Sequence, residues 1–432
     1  MNQGFPVSLA MIVRDEAAVL GRCLLSAKDF VAEVVVVDTG SRDQTPAIAR
    51  AAGARVIEES WKDDFSLARN RALDACTQPW ILVLDADESL HFPCPPQAAA
   101  LWGDALGQAA MAGYELLLHN VNPRGDKTSS VRALRLFRNV PGVRYHYPIH
   151  EEIVDVLVRH ARATSQRIAR LNVEILHTGY GTTQPEKLER NARILERAAE
   201  ADPGDPFLWY NLGKTWSHEF FQKRAQSLTA LLRARGILDE NPDLRLWSAY
   251  LPDLYHFLVV GLGREGREDE ALRLSAEGLR ICGRLGELSY DRGTLLLRMQ
   301  RFEEAARAFR DCLESTQTVE TWITAMGPGS YLAWDGLGQA MCRLGDFSEG
   351  ISCFRRAIEI EPGVQASRYN LAELYSARGQ SKEALSLLME IVRRAPRERL
   401  AWEKGAAILE SLGLAAHARR WLGEAARLKD DS

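Results

Sequence analysis

The end of the chain repeats with a period of 34 residues. Segments beginning at Tyr331, Gln365 and Arg399 can be aligned on that period, and each carries helical patterns. Small residues and prolines recur at the aligned positions, and these residues are Gly345, Gly379, Gly413, Gly350, Ala384, Ala418, Pro362 and Pro396. Small residues let two helices cross closely, and a proline ends the second helix. The period therefore predicts stacked pairs of helices that form a superhelix.

This unit, with small residues at its eighth and twentieth places, resembles the tetratricopeptide repeat. Weaker copies begin near Pro206, Pro252 and Glu287, and residues 315–330 break the period as an apparent insertion. We expect an all-α repeat domain over residues 201–432. Such arrays bind peptides, pair subunits or brace a neighbouring domain, so a homodimer formed through the repeats is one expectation.

The first half of the chain has a different pattern, in which short apolar runs alternate with helical segments. Strands are predicted at 7–13, 33–37 and 80–84, and helices at 16–28 and 45–53. Nearly continuous apolar strands separated by helices are typical of a mostly parallel sheet covered on both faces. The prediction is an α/β domain over residues 1–200, with ligands bound beyond the carboxyl ends of its strands.

Acidic residues follow all three predicted strands. Glu16 comes after the first strand, Asp38 after the second, and Asp85, Asp87 and Glu88 after the third. Any one of these could simply cap a turn or a helix. Their recurrence at three strand ends favours a functional site. Two carboxylates spaced by one residue can converge on a divalent ion such as Mg²⁺ or Mn²⁺, which is usually shared with substrate phosphates.

Six segments of the chain form recognisable motifs in a fixed order. They are IVRDE (12–16), VVDTGSRDQT (36–45), DFSLARNRAL (64–73), LDADE (84–88), IHEEI (149–153) and ILHTGY (175–180). In this order they resemble a glycosyltransferase of family 2 with the GT-A fold. They are similar to a branch of that family in which some members, including peptide S-glycosyltransferases, carry helical repeats behind the catalytic domain. One departure is Asp15, where the family commonly has asparagine, so no role for Asp15 itself follows from the resemblance.

The resemblance implies a binding site for a UDP-sugar. Asp38 and Glu16 are expected to hold the uracil and ribose, with Arg14 beside them, since carboxylates accept hydrogen bonds from such donors. Arg69 and Asn70 lie on a helix that Asp64 is expected to cap. Arg69 could face the diphosphate, or it could instead pair with Asp63 or Asp64. Asp85 and Glu88 complete the expected donor site, with Glu88 bonding sugar hydroxyls.

The metal and the general base are also implied by the resemblance. His177 is expected to complete a metal shell with Asp85 and Asp87, and an imidazole ligand favours Mn²⁺ over Mg²⁺. The alternative for His177 is a structural hydrogen bond. An inverting transfer needs a base opposite the leaving diphosphate. Glu151 is the candidate, assisted by His150, and Asp87 and Glu88 are its rivals.

Composition excludes several other classes of protein. The net charge of −4 makes nucleic acid a poor partner. The seven cysteines never form a C-x-x-C pair, which indicates free thiols in a reducing compartment. The first residues are typical of a strand rather than a signal peptide, and no apolar run is long enough to span a membrane. We expect a cytoplasmic protein.

Three functional hypotheses follow. The first is an inverting, metal-dependent hexosyltransferase that moves a sugar from a UDP-sugar to a protein or peptide side chain, with the repeats presenting the acceptor. The second keeps this chemistry and takes a surface glycan or lipid-linked sugar as acceptor. The third is a scaffold with an inactive transferase domain, against which the presence of Asp85, Asp87, Glu151 and His177 argues. The sugar and the acceptor atom stay open.

Overall fold

The structure is a computed structural model that describes residues 4–122, 125–179, 185–283, 285–315 and 330–428. The chain forms two compact units, of which the first runs to Leu244 and the second begins at Arg245. The first unit therefore extends past the predicted boundary at residue 200. It includes the first pair of helices that the sequence assigned to the repeats.

The first unit is built on one eight-stranded sheet. Its strands are β1 (Val7–Val13), β2 (Glu33–Asp38), β3 (Arg55–Glu58), β4 (Trp80–Val83), β5 (Glu88–His91), β6 (Met111–Val121), β7 (Lys127–Arg138) and β8 (Arg167–His177). They lie in the order β3-β2-β1-β4-β7-β6-β8-β5. The first four of that order run parallel to one another. This part confirms the predicted mostly parallel sheet and the three predicted strands.

The other half of the sheet is mixed. β7 runs antiparallel to both β4 and β6, β6 pairs in parallel with β8, and β5 pairs antiparallel with β8. The short strand β5 starts at Glu88, directly after the acidic turn, and places Glu88 opposite His177. On the other side of β8, Asn120 of β6 lies opposite His177. Strand pairing thus brings distant polar residues to one edge of the sheet.

Helices cover both faces of the sheet. They are α1 (Leu20–Ala27), α2 (Thr45–Ala51), α3 (Phe65–Ala75), α4 (Ala98–Gly107), α5 (Val154–Ala163) and α6 (Pro185–Ala201). Alternate residues of β1 divide between the two cores: Leu9 packs with residues of α1, α2 and α4, and Ala10 packs with residues of α3 and α5. Burial on both faces explains why these strands are almost wholly apolar.

The predicted helix at 16–28 begins later than expected, at Leu20. The preceding residues form a turn, in which the N–H groups of Val19 and Leu20 donate to the Glu16 carbonyl at 3.1 and 3.0 Å. The same segment also bonds to residues that follow β2. The Asp15 N–H donates to Ser41 Oγ at 2.9 Å, and the Glu16 N–H donates to Thr45 Oγ1 at 2.7 Å. Asp15 also has a positive φ of 56°, which a helix does not allow. The segment before the regular helix is thus an irregular turn that is also held by residues distant in the chain.

Two further helices complete the first unit, namely α7 (Pro206–Trp216) and α8 (Arg224–Glu240). α7 packs against α6 and against the sheet domain through a shared apolar cluster that includes Ile149, Leu195, Leu208 and Leu212. Buried apolar residues from both parts of the chain hold this pair of helices to the sheet domain. A short helix, α9 (Pro242–Trp247), follows.

The second unit is all helical over its described residues. Its helices are α10 (Leu251–Arg264), α11 (Glu268–Cys282), α12 (Gly286–Arg298), α13 (Phe302–Glu314), α14 (Tyr331–Arg343), α15 (Phe347–Ile360), α16 (Ala366–Ala377), α17 (Ser381–Arg394), α18 (Arg399–Ser411) and α19 (Ala415–Arg427). Gly345, Gly379 and Gly413 join paired helices, with φ of 88°, 73° and 75°. Glycine accepts such a left-handed conformation without strain, which explains its recurrence.

The predicted repeats are confirmed as helix pairs. Residues 316–329 of the predicted insertion lie outside the described part of the chain. All seven cysteines have free thiols. None of the helices in the described ranges is long and apolar enough to cross a membrane.

Candidate active site

The acidic strand ends meet at one edge of the sheet, as the parallel pairing of β2, β1 and β4 requires. Asp38 is the last residue of β2 and is 4% exposed. Its carboxylate accepts hydrogen bonds from the Ser41 hydroxyl and, at 3.1 Å, from the Ser41 N–H. It also accepts from the N–H of Gly40 at 3.4 Å. Asp38 thus fixes the turn that follows β2.

Arg69 joins two of the predicted acids. Its Nη2 donates to Asp85 Oδ1 at 3.0 Å, and its Nε donates to Glu151 Oε1. Arg69 therefore pairs with Asp85 and Glu151 rather than with Asp63 or Asp64. The side chain of Asp64 accepts from the Leu67 N–H and caps α3, as expected. The two ion pairs of Arg69 link the acidic turn after β4 to the segment around Glu151.

Arg135 on β7 is a second cation in the site, and the sequence did not single it out. Its Nη2 lies 2.6 Å from Glu88 Oε1 and 3.7 Å from Asp85 Oδ2. Burial opposes ionisation of Asp85, but Arg69 and Arg135 outweigh it and lower the pKa of Asp85 to about 2. Asp85 is therefore an ionised carboxylate at neutral pH, held by two guanidinium groups.

Glu88 lies beneath the acidic turn, with only 2% of its surface exposed. Its Oε2 accepts from the Asp85 N–H at 2.9 Å and its Oε1 accepts from Arg135. Burial and the Asp85 charge raise the pKa of Glu88 to about 7, against the pull of Arg135. These contacts make Glu88 the support of the Asp85-Ala86-Asp87 turn.

Asp87 and His177 face each other across the neighbouring strand ends. Asp87 Oδ2 lies 3.2 Å from His177 Nε2, and His177 Nδ1 lies 2.8 Å from Asn120 Oδ1. An amide oxygen can only accept, so Nδ1 carries a proton, and the hydrogen bond to the Asp87 carboxylate requires a second proton at Nε2. When His177 loses that second proton, its lone pair lies at Nε2. The hydrogen bond with Asp87 raises the pKa of His177.

These two residues fit a divalent metal ion. A histidine ligand usually donates its second N–H to an oxygen acceptor, as His177 does to Asn120. Because Gly179 has no side chain, the space beside Asp87 Oδ2 and His177 Nε2 stays open. A Cβ at this position would lie 1.8 Å from Asp87 Oδ2 and 3.3 Å from His177 Nε2. Asp85 fits less well, because its oxygens face Arg69 and Arg135. Across the described ranges, no group of three His, Cys, Asp or Glu side chains is arranged to hold a metal.

Arg14 and Glu16 lie on the loop after β1, and Glu16 is close to the acidic turn. Burial, followed by the nearby charge of Asp87, raises the pKa of Glu16, and Lys187 of α6 partly offsets it. Arg14 is exposed and its Nε lies 4.0 Å from Asp15 Oδ2. Asp15 accepts from the Arg42 N–H at 2.7 Å, so a carboxylate fills the capping role that asparagine could also fill.

The remaining predicted residues belong to the segment around Glu151. Asn70 exchanges two hydrogen bonds of 2.8 Å with the backbone of Tyr145, so its amide is engaged with the protein itself. His150 is exposed and has a positive φ of 53°. Glu151 is 15% exposed at its side chain and lies beside Arg69. The structure thus brings Arg69, Asp85 and Glu151 into one network.

Comparison with known proteins adds to this geometry. The family model described as glycosyl transferase family 2 matches residues 8–120, and tetratricopeptide repeat models match residues 290–364 and 330–421. A TPR repeat-containing protein of Synechococcus elongatus is 35% identical over 70% of this chain and 75% of its own length.

Two relatives are described as glycosyltransferases. The SPbeta prophage-derived glycosyltransferase SunS of Bacillus subtilis is 26% identical over 48% of each chain. The lipopolysaccharide core biosynthesis glycosyltransferase LpsC of Rhizobium meliloti is 34% identical over 34% of this chain and 57% of its own length. The matches thus span less than two thirds of these two relatives.

The sheet, its acidic edge and these matches define an enzyme that transfers sugars. More particularly, the chain belongs to glycosyl transferase family 2 and carries C-terminal tetratricopeptide repeats.

Proposed function

We propose that this glycosyltransferase is metal-dependent and inverting, and that it moves a sugar from a UDP-sugar to a side chain of a protein or peptide. The observation that carries the proposal is the pair of Asp87 and His177, whose facing atoms are 3.2 Å apart beside the space left by Gly179. Two protein ligands leave the other positions of a divalent ion to water and to substrate phosphates.

In this proposal Asp87 and His177 hold the ion, which is Mn²⁺ in preference to Mg²⁺ because one ligand is an imidazole. When bound, the ion supplies positive charge to the diphosphate that leaves. Asp85 acts beside it as a fixed charge, since Arg69 and Arg135 already contact its carboxylate. Asp85 therefore orients Arg69 toward the site more than it ligates the ion.

The donor nucleotide would lie over the loops that follow β1 and β2. Glu16 and Asp38 are the expected acceptors for ribose and uracil, with Arg14 beside them. Asp38 is buried and engaged in its own turn, so Glu16 is the more accessible carboxylate of the two. Asn70 supports the site indirectly through the backbone of Tyr145.

Glu151 is the candidate base that activates the acceptor. Of its rivals, Glu88 is buried and both of its oxygens accept hydrogen bonds, while Asp87 faces His177. Glu151 retains 15% exposure, and its Oε1 is held by Arg69. An inverting enzyme needs one such base on the acceptor side. His150, the exposed neighbour, would contact the acceptor or the sugar.

The repeats favour a polypeptide acceptor. Tetratricopeptide arrays offer an extended surface, which suits a peptide better than a single sugar. A glycan acceptor is the second candidate, because LpsC, a lipopolysaccharide core biosynthesis glycosyltransferase, is among the relatives. The chain carries no transmembrane-length apolar helix in its described ranges, and either acceptor is compatible with that finding.

Hydrolysis of UDP-sugars with and without Mn²⁺ tests the proposal. We expect slow release of UDP from one sugar donor that requires the metal, together with a raised melting temperature in the presence of that donor and Mn²⁺. Asp87→Asn should lose both effects. Metal-independent hydrolysis would remove the proposed role of Asp87 and His177, and the absence of any hydrolysis or thermal shift would favour an inactive scaffold.

A further inference from the structure

The segment that carries His150 and Glu151 is an irregular loop with two unusual backbone conformations. We call residues 145–152 the 145–152 loop. Tyr147 and His150 have φ of 70° and 53°, although neither is glycine. Positive φ is disfavoured for such residues and persists only where surrounding contacts hold it. The loop is closed at its base by two hydrogen bonds of 3.0 Å between the backbones of His146 and Glu152.

The sheet domain holds one side of the 145–152 loop. The amide of Asn70 bonds the Tyr145 backbone in both directions at 2.8 Å. Ser66 donates its hydroxyl to the Tyr147 carbonyl, and the N–H of Phe65 donates to the Pro148 carbonyl at 2.8 Å. All three of these partners lie on α3, the helix that also carries Arg69.

The other side of the loop is held by α7, the first helix of the repeats. The rings of Tyr147 and Phe207 have centroids 4.5 Å apart. The Tyr147 hydroxyl donates to Asp205 Oδ2 at 2.8 Å, while Asp205 Oδ1 caps α7 by accepting from the Phe207 N–H at 2.7 Å. Ile149 packs in the same apolar cluster as Leu208.

We propose that α7 is a positioning element of the active site, with Tyr147, Phe207 and Asp205 as positioning residues that act through Glu151. This inference rests on the proposed function, in which Glu151 is the base. The contact with α7 sets the backbone at Tyr147, four residues before Glu151, and thereby sets where the Glu151 carboxylate meets Arg69. The first helix pair of the repeats then supports the position of the active-site loop from outside the catalytic site.

The physical reason is that the loop conformation is not one the backbone adopts by itself. Without the ring of Phe207 and the carboxylate of Asp205, only the contacts with α3 hold the loop, and the strained conformation of Tyr147 relaxes more readily toward ordinary φ values. A displacement of about 1 Å at a catalytic group costs about 100-fold in rate. The effect should fall on turnover, since Glu16 and Asp38, which are expected to bind the donor, lie outside the 145–152 loop.

Three variants test the coupling in the full chain. Asp205→Ser keeps a helix-capping hydroxyl but is too short to reach Tyr147. Phe207→Ala removes the ring contact, and Phe207→Tyr restores an aromatic ring at the same position. The matched control is Tyr255→Phe in the second unit, because the Tyr255 hydroxyl likewise donates to a carboxylate, that of Glu277, at 2.6 Å.

Two readouts are measured for each protein, namely hydrogen–deuterium exchange over residues 145–152 and steady-state UDP-sugar hydrolysis with Mn²⁺. Asp205→Ser and Phe207→Ala should speed exchange of the loop amides by about tenfold or more. In these variants the backbone hydrogen bonds of the 145–152 loop should open more often than in the wild type. They should lower kcat by about 10- to 100-fold with KM for the donor within about twofold. Phe207→Tyr and Tyr255→Phe should behave like the wild type.

The outcomes separate this inference from the proposed function. Unchanged exchange in Asp205→Ser and Phe207→Ala would overturn the coupling, whatever the wild-type activity. Faster exchange with unchanged kcat would overturn the positioning role. A wild-type protein that releases no UDP refutes the proposed function, while the exchange data still decide whether α7 holds the loop. An equal loss of kcat in Tyr255→Phe would show a general effect of stability and overturn the assignment.

Discussion

At the scale of single residues, Asp87 is the side chain on which the metal proposal depends most. Asp87→Ala should lower UDP-sugar hydrolysis by more than about 100-fold, because a bound metal supplies several kcal/mol of charge stabilisation. The fold should survive, since the side chain of Asp87 is 30% exposed and little packing is lost. The control is Asp74→Ala, which removes a surface ion pair with Arg144. An Asp87→Ala enzyme as active as this control would contradict the metal assignment.

The role of Glu151 can be separated from that of the donor site. Glu151→Gln keeps the size of the side chain and an oxygen that can accept from Arg69 Nε, but it removes the basicity. We expect kcat to fall by about 10²- to 10⁴-fold, with donor affinity within about twofold of the wild type. Titration calorimetry with the UDP-sugar measures that affinity. If affinity falls as far as turnover, Glu151 binds the donor and the base lies elsewhere.

The sequence identified the acids of this site and Arg69, but it gave neither the partners of Arg69 nor the second cation, Arg135. Arg69 lies in a motif, yet its partners Asp85 and Glu151 are 16 and 82 residues away. Arg135 and Asn120 lie on β7 and β6, where nothing in the local pattern distinguishes them from other polar strand residues. Their roles follow from strand pairing over long distances in the chain, which local sequence does not specify.

At the scale of elements, the repeat glycines give a direct test of backbone conformation. Gly413 joins α18 to α19 with φ of 75°, whereas Gly423 lies inside α19 with open space around its Cα. Gly413→Ala should destabilise the protein by about 1 kcal/mol, since alanine is disfavoured at positive φ. Gly423→Ala should stabilise it by up to about 1 kcal/mol through helix propensity. Urea unfolding of both variants measures this, and equal effects would contradict the assigned conformations.

A second test at this scale concerns the pair of α10 and α12. His256 Nδ1 lies 2.6 Å from Asp291 Oδ2. Burial by itself would lower the pKa of His256. The hydrogen bond and charge of Asp291, together with the charges of Asp253 and Glu287, outweigh burial and raise that pKa. His256 therefore binds its proton more tightly in the folded protein than in the unfolded chain. This stabilisation is complete below about pH 6.5 and is lost as the pH rises through the folded-state pKa.

The measurement compares wild type and His256→Gln by chemical denaturation between about pH 5.5 and 9. The stability advantage of the wild type should shrink as the pH rises. His417→Gln, which changes an exposed histidine, should follow the wild type at every pH. A wild-type advantage that stays constant or grows with pH would show that the pair is not stabilised by protonation of His256.

At the scale of the whole molecule, the place where the catalytic unit ends can be tested by truncation. A chain ending at residue 244 keeps α7 and α8 and should retain UDP-sugar hydrolysis while losing transfer to its native acceptor. A chain ending at residue 203 exposes the apolar cluster around Ile149 and Leu195 and releases the 145–152 loop. It should melt at a lower temperature and hydrolyse the donor more slowly.

Thermal melts and donor hydrolysis of the two truncated chains check this expectation. Equal melting temperatures and rates would place the functional boundary near residue 200, as predicted from the sequence. Full-rate transfer to the native acceptor by the chain ending at residue 244 would assign the second unit to bracing or to dimerisation instead of acceptor choice.

The sequence by itself determined the class of each half of the chain and those elements with a strong local pattern. The 34-residue period fixed the helix pairs, because each repeat places small residues and glycines where its own two helices meet. The apolar runs fixed β1, β2 and β4, because both faces of those strands are covered. These signals are local, so each can be recognised within one short stretch of the chain.

Only the tertiary structure decided what those elements bring together. Pairing of β8 with β5 and β6 sets His177 between Glu88 and Asn120 and opposite Asp87. Packing of α7 on the 145–152 loop joins the first repeat to the sheet domain. Such contacts depend on how distant segments pair and pack, because side-chain chemistry permits many partners and the geometry of the folded chain selects among them.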